Sequence, residues 1–222
     1  MTPADTHGSI RVLIVDDQRL LGDALCVSLR RAGLDPDLAP VACRDALIEW
    51  VHAHPPALVL LDLDLGGALG DGTDLVAPCV AAGSRVLVLS GTTDELWIAA
   101  ALEQGACAAV DKALPFDHLL GVVLSAARGD TVLSPSDRHR LLNQLRSHRT
   151  ARRQELAPFQ SLTPREQQVL RALSVGMTVP RIADAWVVSQ ATVRSQVHAV
   201  LRKLAVRSQL EAVAAAARVG WV

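Results

Sequence analysis

No uninterrupted apolar run in this 222-residue chain approaches the roughly 18 residues that a membrane-spanning helix needs, although half of its residues are hydrophobic. The stretch from Met1 to Ser9 is polar and lacks the apolar core of a secretory signal. A cytoplasmic protein with no direct membrane binding is the expectation. Cysteine is scarce: Cys26, Cys43, Cys79 and Cys107 are widely spaced, form no Cys-x-x-Cys, and fall in helix or strand patterns. That spacing argues against a zinc site or a disulfide framework and for buried free thiols. No internal repeat or low-complexity tract is present beyond the alanines at 214–217.

What is present is a division of charge. Residues 1–127 hold 17 Asp and Glu against 7 Lys and Arg, whereas residues 128–222 hold 6 against 15. The overall net of −1 therefore conceals an acidic half joined to a basic half. Such asymmetry is expected where one domain of two meets nucleic acid, or where the two halves dock electrostatically, and both can hold at once. The length suffices for two domains, each with its own core.

Buried-strand patterns in the acidic half end in chemically distinctive residues. Ile10 to Val15 closes on Asp16 and Asp17, and Leu58 to Leu61 closes on Asp62. Val86 to Leu89 runs into Ser90, and Ala108 to Val110 runs through Asp111 into Lys112. In an open parallel sheet, the carboxyl ends of the strands form the ligand crevice. Three carboxylates gathered there repel one another unless a hard divalent cation sits between them, and Mg²⁺ suits an all-oxygen site. An acid pair, a lone aspartate, a hydroxyl and a lysine in that order make a site that accepts a phosphoryl group on Asp62. Each residue alone reads most simply as a helix cap; all four at strand ends do not. Leu20, Leu21, Ala24, Leu25, Ser28 and Leu29 follow a helical stripe, and five βα units in about 120 residues imply an α/β doubly wound parallel sheet.

These residues resemble the receiver domain of two-component response regulators, here spanning residues 9–128. The resemblance implies a flavodoxin-like five-stranded fold and transfer of a phosphoryl group from a histidine kinase to Asp62. It further implies that Asp17 ligates Mg²⁺ directly, Asp16 through water, and Asp64 through its backbone carbonyl. Lys112 and Ser90 would then hold the phosphoryl oxygens. The chain departs from the family at Ala109, where Tyr or Phe is usual, and in the loop Leu63 to Gly72, which lacks Met-Pro and is two residues longer. With no tyrosine anywhere, the expectation is a weak coupling between phosphorylation and the rest of the molecule.

Residues 129–158 read as a linker. Gly129-Asp130 and Ser134-Pro135-Ser136 mark turns, Leu141, Leu142 and Leu145 propose one helix, and the flexible joint is expected at 147–158. From residue 159 onward the pattern is all-α. Thr163-Pro164-Arg165-Glu166 is a capping box, Thr178-Val179-Pro180 and Ser189 start two further helices, and Ser208 to Glu211 is a second capping box. The middle pair forms a helix-turn-helix at about 179–204. On its second helix, Val193, Val197, Val200, Leu201 and Leu204 share one arc, and Ala191, Arg194, Ser195, His198 and Arg202 share the next. The first arc is core. The second is cationic and free of Asp and Glu, which suits a phosphate-lined groove.

Leu162 to Glu166, Thr192-Val193-Arg194, Leu201 to Leu204 and Val206-Arg207 resemble the LuxR-type DNA-binding domain. A receiver followed by that domain is the NarL/FixJ class of response regulators. By that resemblance Arg194, Ser195 and His198 face base edges of double-stranded DNA, and Arg181, Thr192, Gln196, Lys203 and Arg207 meet backbone phosphates. The class forms homodimers on DNA through its last helix, where Leu210, Val213, Ala214 and Ala217 make an a/d-like stripe. Two other readings compete with this one. The first is a DNA-binding regulator indifferent to phosphorylation that uses its receiver only to dimerise. The second is a phosphatase of the same fold class, opposed by the lack of an insertion long enough for a substrate cap. The chain is thus not expected to be an enzyme beyond self-dephosphorylation.

Overall fold

The computed structural model describes residues 9–39, 43–66, 69–91 and 94–222. The chain divides into two compact units, Met1–Arg146 and Ser147–Val222. The first begins β1 (Arg11–Val15), α1 (Arg19–Arg31), β2 (Asp35–Leu38), α2 (Arg44–Ala53) and β3 (Leu58–Asp62). It continues through β4 (Asp64–Gly66), β5 (Gly70–Asp71), α3 (Thr73–Ala81) and β6 (Arg85–Ser90). After α4 (Glu95–Glu103), β7 (Ala108–Asp111) and α5 (Phe116–Arg128) comes α6 (Pro135–Gln160), which crosses into the second unit.

The main sheet is parallel throughout, in the order β2-β1-β3-β6-β7. Strand side chains alternate between two faces, and the core divides accordingly. Leu13, Val15, Val59, Leu61, Val86 and Val88 pack under α2, α3 and α4. Val12, Ile14, Leu58, Leu60, Leu87 and Leu89 pack under α1 and α5. Burial on both faces explains the continuous Val/Leu runs. The edge strand β2 tolerates Pro36 because an edge does not need every ladder donor.

Three details differ from the expectations. The buried stripe of α1 is Gly22, Leu25, Cys26 and Leu29, while Leu20 is 87% exposed. At Gly22 a Cβ would lie 2.8 Å from the terminal methyl of Leu38, so a larger residue there would require that partly exposed side chain to move. Of the cysteines, Cys26 and Cys79 are buried, but Cys43 is exposed and Cys107 only partly covered; all four are free. The long loop after β3 folds back as an antiparallel pair, Asp64 opposite Asp71 and Gly66 opposite Gly70. Its Gly67 and Ala68 lie outside the described residues.

The linker differs most. Residues 147–158, expected to form a joint, are helical within the 26-residue α6. Ser134 is no loop marker here: its hydroxyl accepts the Asp137 N–H at 3.0 Å, and Pro135 follows at the first helical position. No glycine interrupts α6, and its Arg, Gln, Leu and Ala residues favour helix even on a polar surface. Its first half belongs to the first unit, with Leu141 and Leu145 buried in the core beside Ala99 and Leu102. Arg138 donates to the carbonyls of Leu102 and Ala106 at the end of α4, where a cation is favoured.

In the second unit α7 (Pro164–Ser174), α8 (Val179–Trp186), α9 (Gln190–Lys203) and α10 (Gln209–Arg218) enclose two small cores. The α7 capping box is complete: Thr163 N–H donates to Glu166 at 2.7 Å and Glu166 N–H to the Thr163 hydroxyl at 3.3 Å. At α10 the box is shifted. Ser208 accepts the Glu211 N–H, but the Glu211 carboxylate takes the N–H of Arg207, one residue before the cap.

Candidate phosphoryl-accepting site and nucleic-acid interface

The strand ends of the first unit deliver Asp16, Asp17, Asp62, Ser90 and Lys112 to one crevice, as the parallel topology requires. Lys112 Nζ lies 2.7 Å from Asp62 Oδ2 and 2.8 Å from Asp16 Oδ2. Asp62 Oδ1 accepts the N–H of Asp64 at 3.2 Å, and Asp16 Oδ1 accepts that of Gln18 at 2.8 Å. The Ser90 carbonyl receives the Lys112 N–H at 2.9 Å, fixing the root of the lysine. Asp17, Gln18, Asp62, Asp64, Ser90, Gly91, Trp97 and Lys112 line the resulting pocket.

Burial pushes the Asp62 carboxyl above its ordinary range, against the opposing pull of Lys112 and the Asp64 N–H. Burial works the other way on Lys112, but its close contacts with the carboxylates of Asp16 and Asp62 outweigh it, so its ammonium is held more firmly than usual. Oxygens of Asp16, Asp17 and Asp62 lie within 4.8 Å of one another. Asp16 Oδ2 is buried and makes no hydrogen bond. Its 2.8 Å approach to Lys112 is a charge contact without hydrogen-bond alignment. A buried carboxylate oxygen with spare capacity, beside an exposed Asp17, is the donor set a hard cation fits. Gly72 completes the floor: a Cβ there would stand 2.1 Å from the Asp62 carbonyl oxygen.

On α9, Val193, Val197, Val200 and Leu204 are buried and Leu201 partly so, which is the core arc read from sequence. Arg194, Ser195, His198 and Arg202 are exposed and line a shallow concavity. Arg181, Thr192 and Arg207 are exposed as well, and Gln196 is half-buried. Ser189 caps the helix by accepting the Thr192 N–H at 3.0 Å, and the two hydroxyls are 2.8 Å apart.

Residues 12–124 match the model of the response regulator receiver domain, and residues 160–216 match that of the luxR family of bacterial regulatory proteins. The chain belongs to the response regulators. It is of the NarL/FixJ class, which regulates transcription through DNA binding under the control of phosphorylation. The response regulator is 29% identical over 209 residues to the probable transcriptional regulatory protein NarL of Mycobacterium tuberculosis (strain H37Rv), covering 94% of each chain. It is 28% identical over 234 residues to the transcriptional regulatory protein DegU of Brevibacillus brevis, covering 97% of this chain and 96% of that one. The crystal structure of a LuxR-family response regulator from Aurantimonas sp. SI85-9A1 shares the fold. Its TM-score is 0.50 at 20% identity, over 63% of this chain and 99% of that one.

In this response regulator the five residues read as the phosphoryl site come together, with the Asp64 backbone beside them. Ala109 sits half-buried on β7. Lys203 stands apart from the other residues expected to meet DNA, because its ammonium is already engaged. It donates to Glu166 at 2.6 Å and to the Ser161 carbonyl at 2.9 Å. Gln18, Gly72, Thr73 and Trp97 were not foreseen at the phosphoryl site. The Asp71-Gly72 turn and a tryptophan seven residues after Ser90 were the available signals, and neither says which way its side chain faces.

Proposed function

We propose that Asp62 is the phosphoacceptor of this regulator and that a histidine kinase supplies the group. The supporting observation is a buried carboxylate held between an ammonium and a backbone N–H, with two further carboxylates in reach. An Asp62 oxygen attacks the phosphorus of a phosphohistidine; the O–P bond forms as the P–N bond breaks, and the imidazole leaves. Asp62 must be ionised to attack, and Lys112 both favours that state and neutralises charge on the transferring group. Asp17 directly, Asp16 through water, and Asp62 and the Asp64 carbonyl would hold Mg²⁺, which would supply further neutralisation of the phosphoryl oxygens. Ser90 would donate to one of those oxygens. No role beyond self-dephosphorylation is assigned as an enzyme.

The second unit reads double-stranded DNA. Arg194, Ser195 and His198 would meet base edges, and Arg181, Thr192, Gln196 and Arg207 the phosphates. Lys203 would meet phosphate only by adding a third hydrogen bond to its two existing ones. A homodimer on DNA would form through α10, where Leu210 is 80% exposed beside exposed Ala214 and Ala217. No helix among the described residues is long and apolar enough to cross a membrane, and we assign the protein to the cytoplasm. With Ala109 in place of a ring, phosphorylation should raise DNA affinity near the lower end of the usual coupling range of about 1–3 kcal/mol.

Incubation with a small phosphodonor and Mg²⁺ tests the reading. Acid-labile label should appear on the wild type and vanish in Asp62→Asn. Label that persists in the variant removes Asp62 from its role. A chain that takes no label yet binds its operator at full affinity would favour the phosphorylation-independent regulator.

A further inference from the structure

Among the described residues, Trp97 is the one aromatic side chain lining the phosphoryl-accepting pocket. It sits half-buried on the first turn of α4. Its indole Nε1–H lies 2.7 Å from the Thr73 hydroxyl oxygen and 3.1 Å from Asp71 Oδ1. Asp71 Oδ1 also receives the N–H of Thr73 at 2.8 Å and, more closely still, its hydroxyl. Burial tends to raise the Asp71 carboxyl, but these donors and the charge of Arg44 hold it below its ordinary range, so the acceptor is ionised.

The cluster leads into the site. Asp71 is the cross-strand partner of Asp64 in the β4–β5 pair. Gly72 N–H donates to the Leu63 carbonyl at 2.8 Å, and Asp64 N–H donates to Asp62. The indole N–H therefore ties α4 to the first residue of α3 and, through Asp71, to the hairpin that presents the Asp64 backbone. A buried indole N–H ordinarily finds some partner; what marks Trp97 is that its partners are Thr73 and the hairpin residue Asp71 and that its ring lines the phosphoryl-accepting pocket.

We propose that Trp97 is a positioning residue of the phosphoryl site: its N–H latches the β4–β5 hairpin over Asp62, and its ring screens the pocket from water. The proposal rests on Asp62 as phosphoacceptor. The latch fixes the Asp64 carbonyl as an oxygen ligand. The screen acts on loss of the group, in which a water oxygen bonds to phosphorus as the P–Oδ bond of Asp62 breaks, leaving the Asp62 carboxylate and dihydrogen phosphate. Ring and N–H are separable, because phenylalanine keeps the one and lacks the other.

The test uses the full chain as wild type, Trp97→Phe, Trp97→Ala, Thr73→Val and the Trp97→Phe/Thr73→Val double variant. Mg²⁺ affinity is measured by calorimetry on unphosphorylated protein, and the lifetime of acid-labile label is followed after loading with acetyl phosphate. Trp97→Phe and Thr73→Val should each weaken Mg²⁺ binding about threefold to tenfold, the worth of one modest hydrogen bond, and the double variant should be no worse than either. Trp97→Ala should add a severalfold shorter label lifetime, which Trp97→Phe should largely retain. If Trp97→Ala fails to fold, Trp97→Phe and Thr73→Val still decide the latch. Variants that bind Mg²⁺ and hold label as the wild type does, or single effects that add fully, overturn the proposal alone. A wild type that binds no Mg²⁺ and takes no label overturns the phosphoacceptor reading and this proposal with it.

Discussion

Lys203, on the helix that carries the exposed cationic arc, sets its ammonium 2.6 Å from Glu166, the residue that closes the capping box of α7. One carboxylate oxygen thus serves both the cap and a helix-to-helix ion pair, since Thr163 N–H reaches the same Oε2. Burial tends to raise the Glu166 carboxyl, but Lys203 and Thr163 outweigh it and hold it below its ordinary range. A depressed carboxyl stabilises the fold above its unfolded value of about 4.3, and that contribution is lost as pH falls through the lower folded value. Glu166→Gln should therefore lower stability near neutral pH by about 1–3 kcal/mol and flatten the acid side of the curve. Thermal unfolding between about pH 3 and 7 checks it. Identical curves for the two proteins would show that the pair contributes nothing.

Gly72 tests the floor of the acidic pocket. Its backbone, at φ −63°, is open to any residue, so conformation does not demand glycine. The demand comes from the 2.1 Å approach of a Cβ to the Asp62 carbonyl oxygen. Gly72→Ala must push β3 or the β4–β5 hairpin aside, at about 1–3 kcal/mol or more. Phosphoryl labelling should fall further than stability does, because the displaced atoms carry the site. A variant labelled at the wild-type rate would show that the loop yields without moving Asp62.

Val187 is held at φ 54° and ψ 48° in the turn between α8 and α9, with 91% of its surface exposed. The left-handed region is costly for a β-branched side chain, and no packing compensates here. Val187→Asn should stabilise the second unit by about 1 kcal/mol, visible as a higher unfolding midpoint. An unchanged or lower midpoint would mean that the valine is not strained as its backbone implies.

The receiver sheet was legible because its strands are buried on both faces and each ends in a residue with its own chemistry. Asp16, Asp62, Ser90 and Lys112 are fixed by strand ends, and strand ends can be read from a run of valines and leucines. What lies across the crevice cannot be read that way. Trp97 and Thr73 come from helix starts, and their meeting depends on how α3 and α4 pack rather than on any local pattern. Leu20 reads as core because periodicity counts apolar residues, whereas the buried place on that turn is taken by Gly22, which no apolar count includes. The helix through 147–158, where a flexible joint is expected, was not legible for a different reason. A polar stretch without glycine is as consistent with an exposed helix as with a tether, and the Ser134-Pro135 cap marks only where the helix begins.

The Lys203–Glu166 ion pair separates two kinds of cation on α9. Arg194 is exposed, with only a 3.2 Å contact to Gln190 on its own helix, so its guanidinium is available to a base edge. Arg194→Ala should cost about 1–3 kcal/mol in operator binding and relax sequence preference, while leaving the unfolding midpoint nearly unchanged. Lys203→Met should do the reverse. A bare phosphate contact would change the slope of log affinity against log salt by about one, but two of the three Lys203 donors already serve Glu166 and Ser161. Its removal strands the Glu166 carboxylate and should lower the midpoint, with the salt slope altered by less than that single contact. Affinity measured at several salt concentrations, alongside thermal unfolding, distinguishes the two. A slope reduced by a full unit in Lys203→Met, with the midpoint unchanged, would return Lys203 to the phosphates.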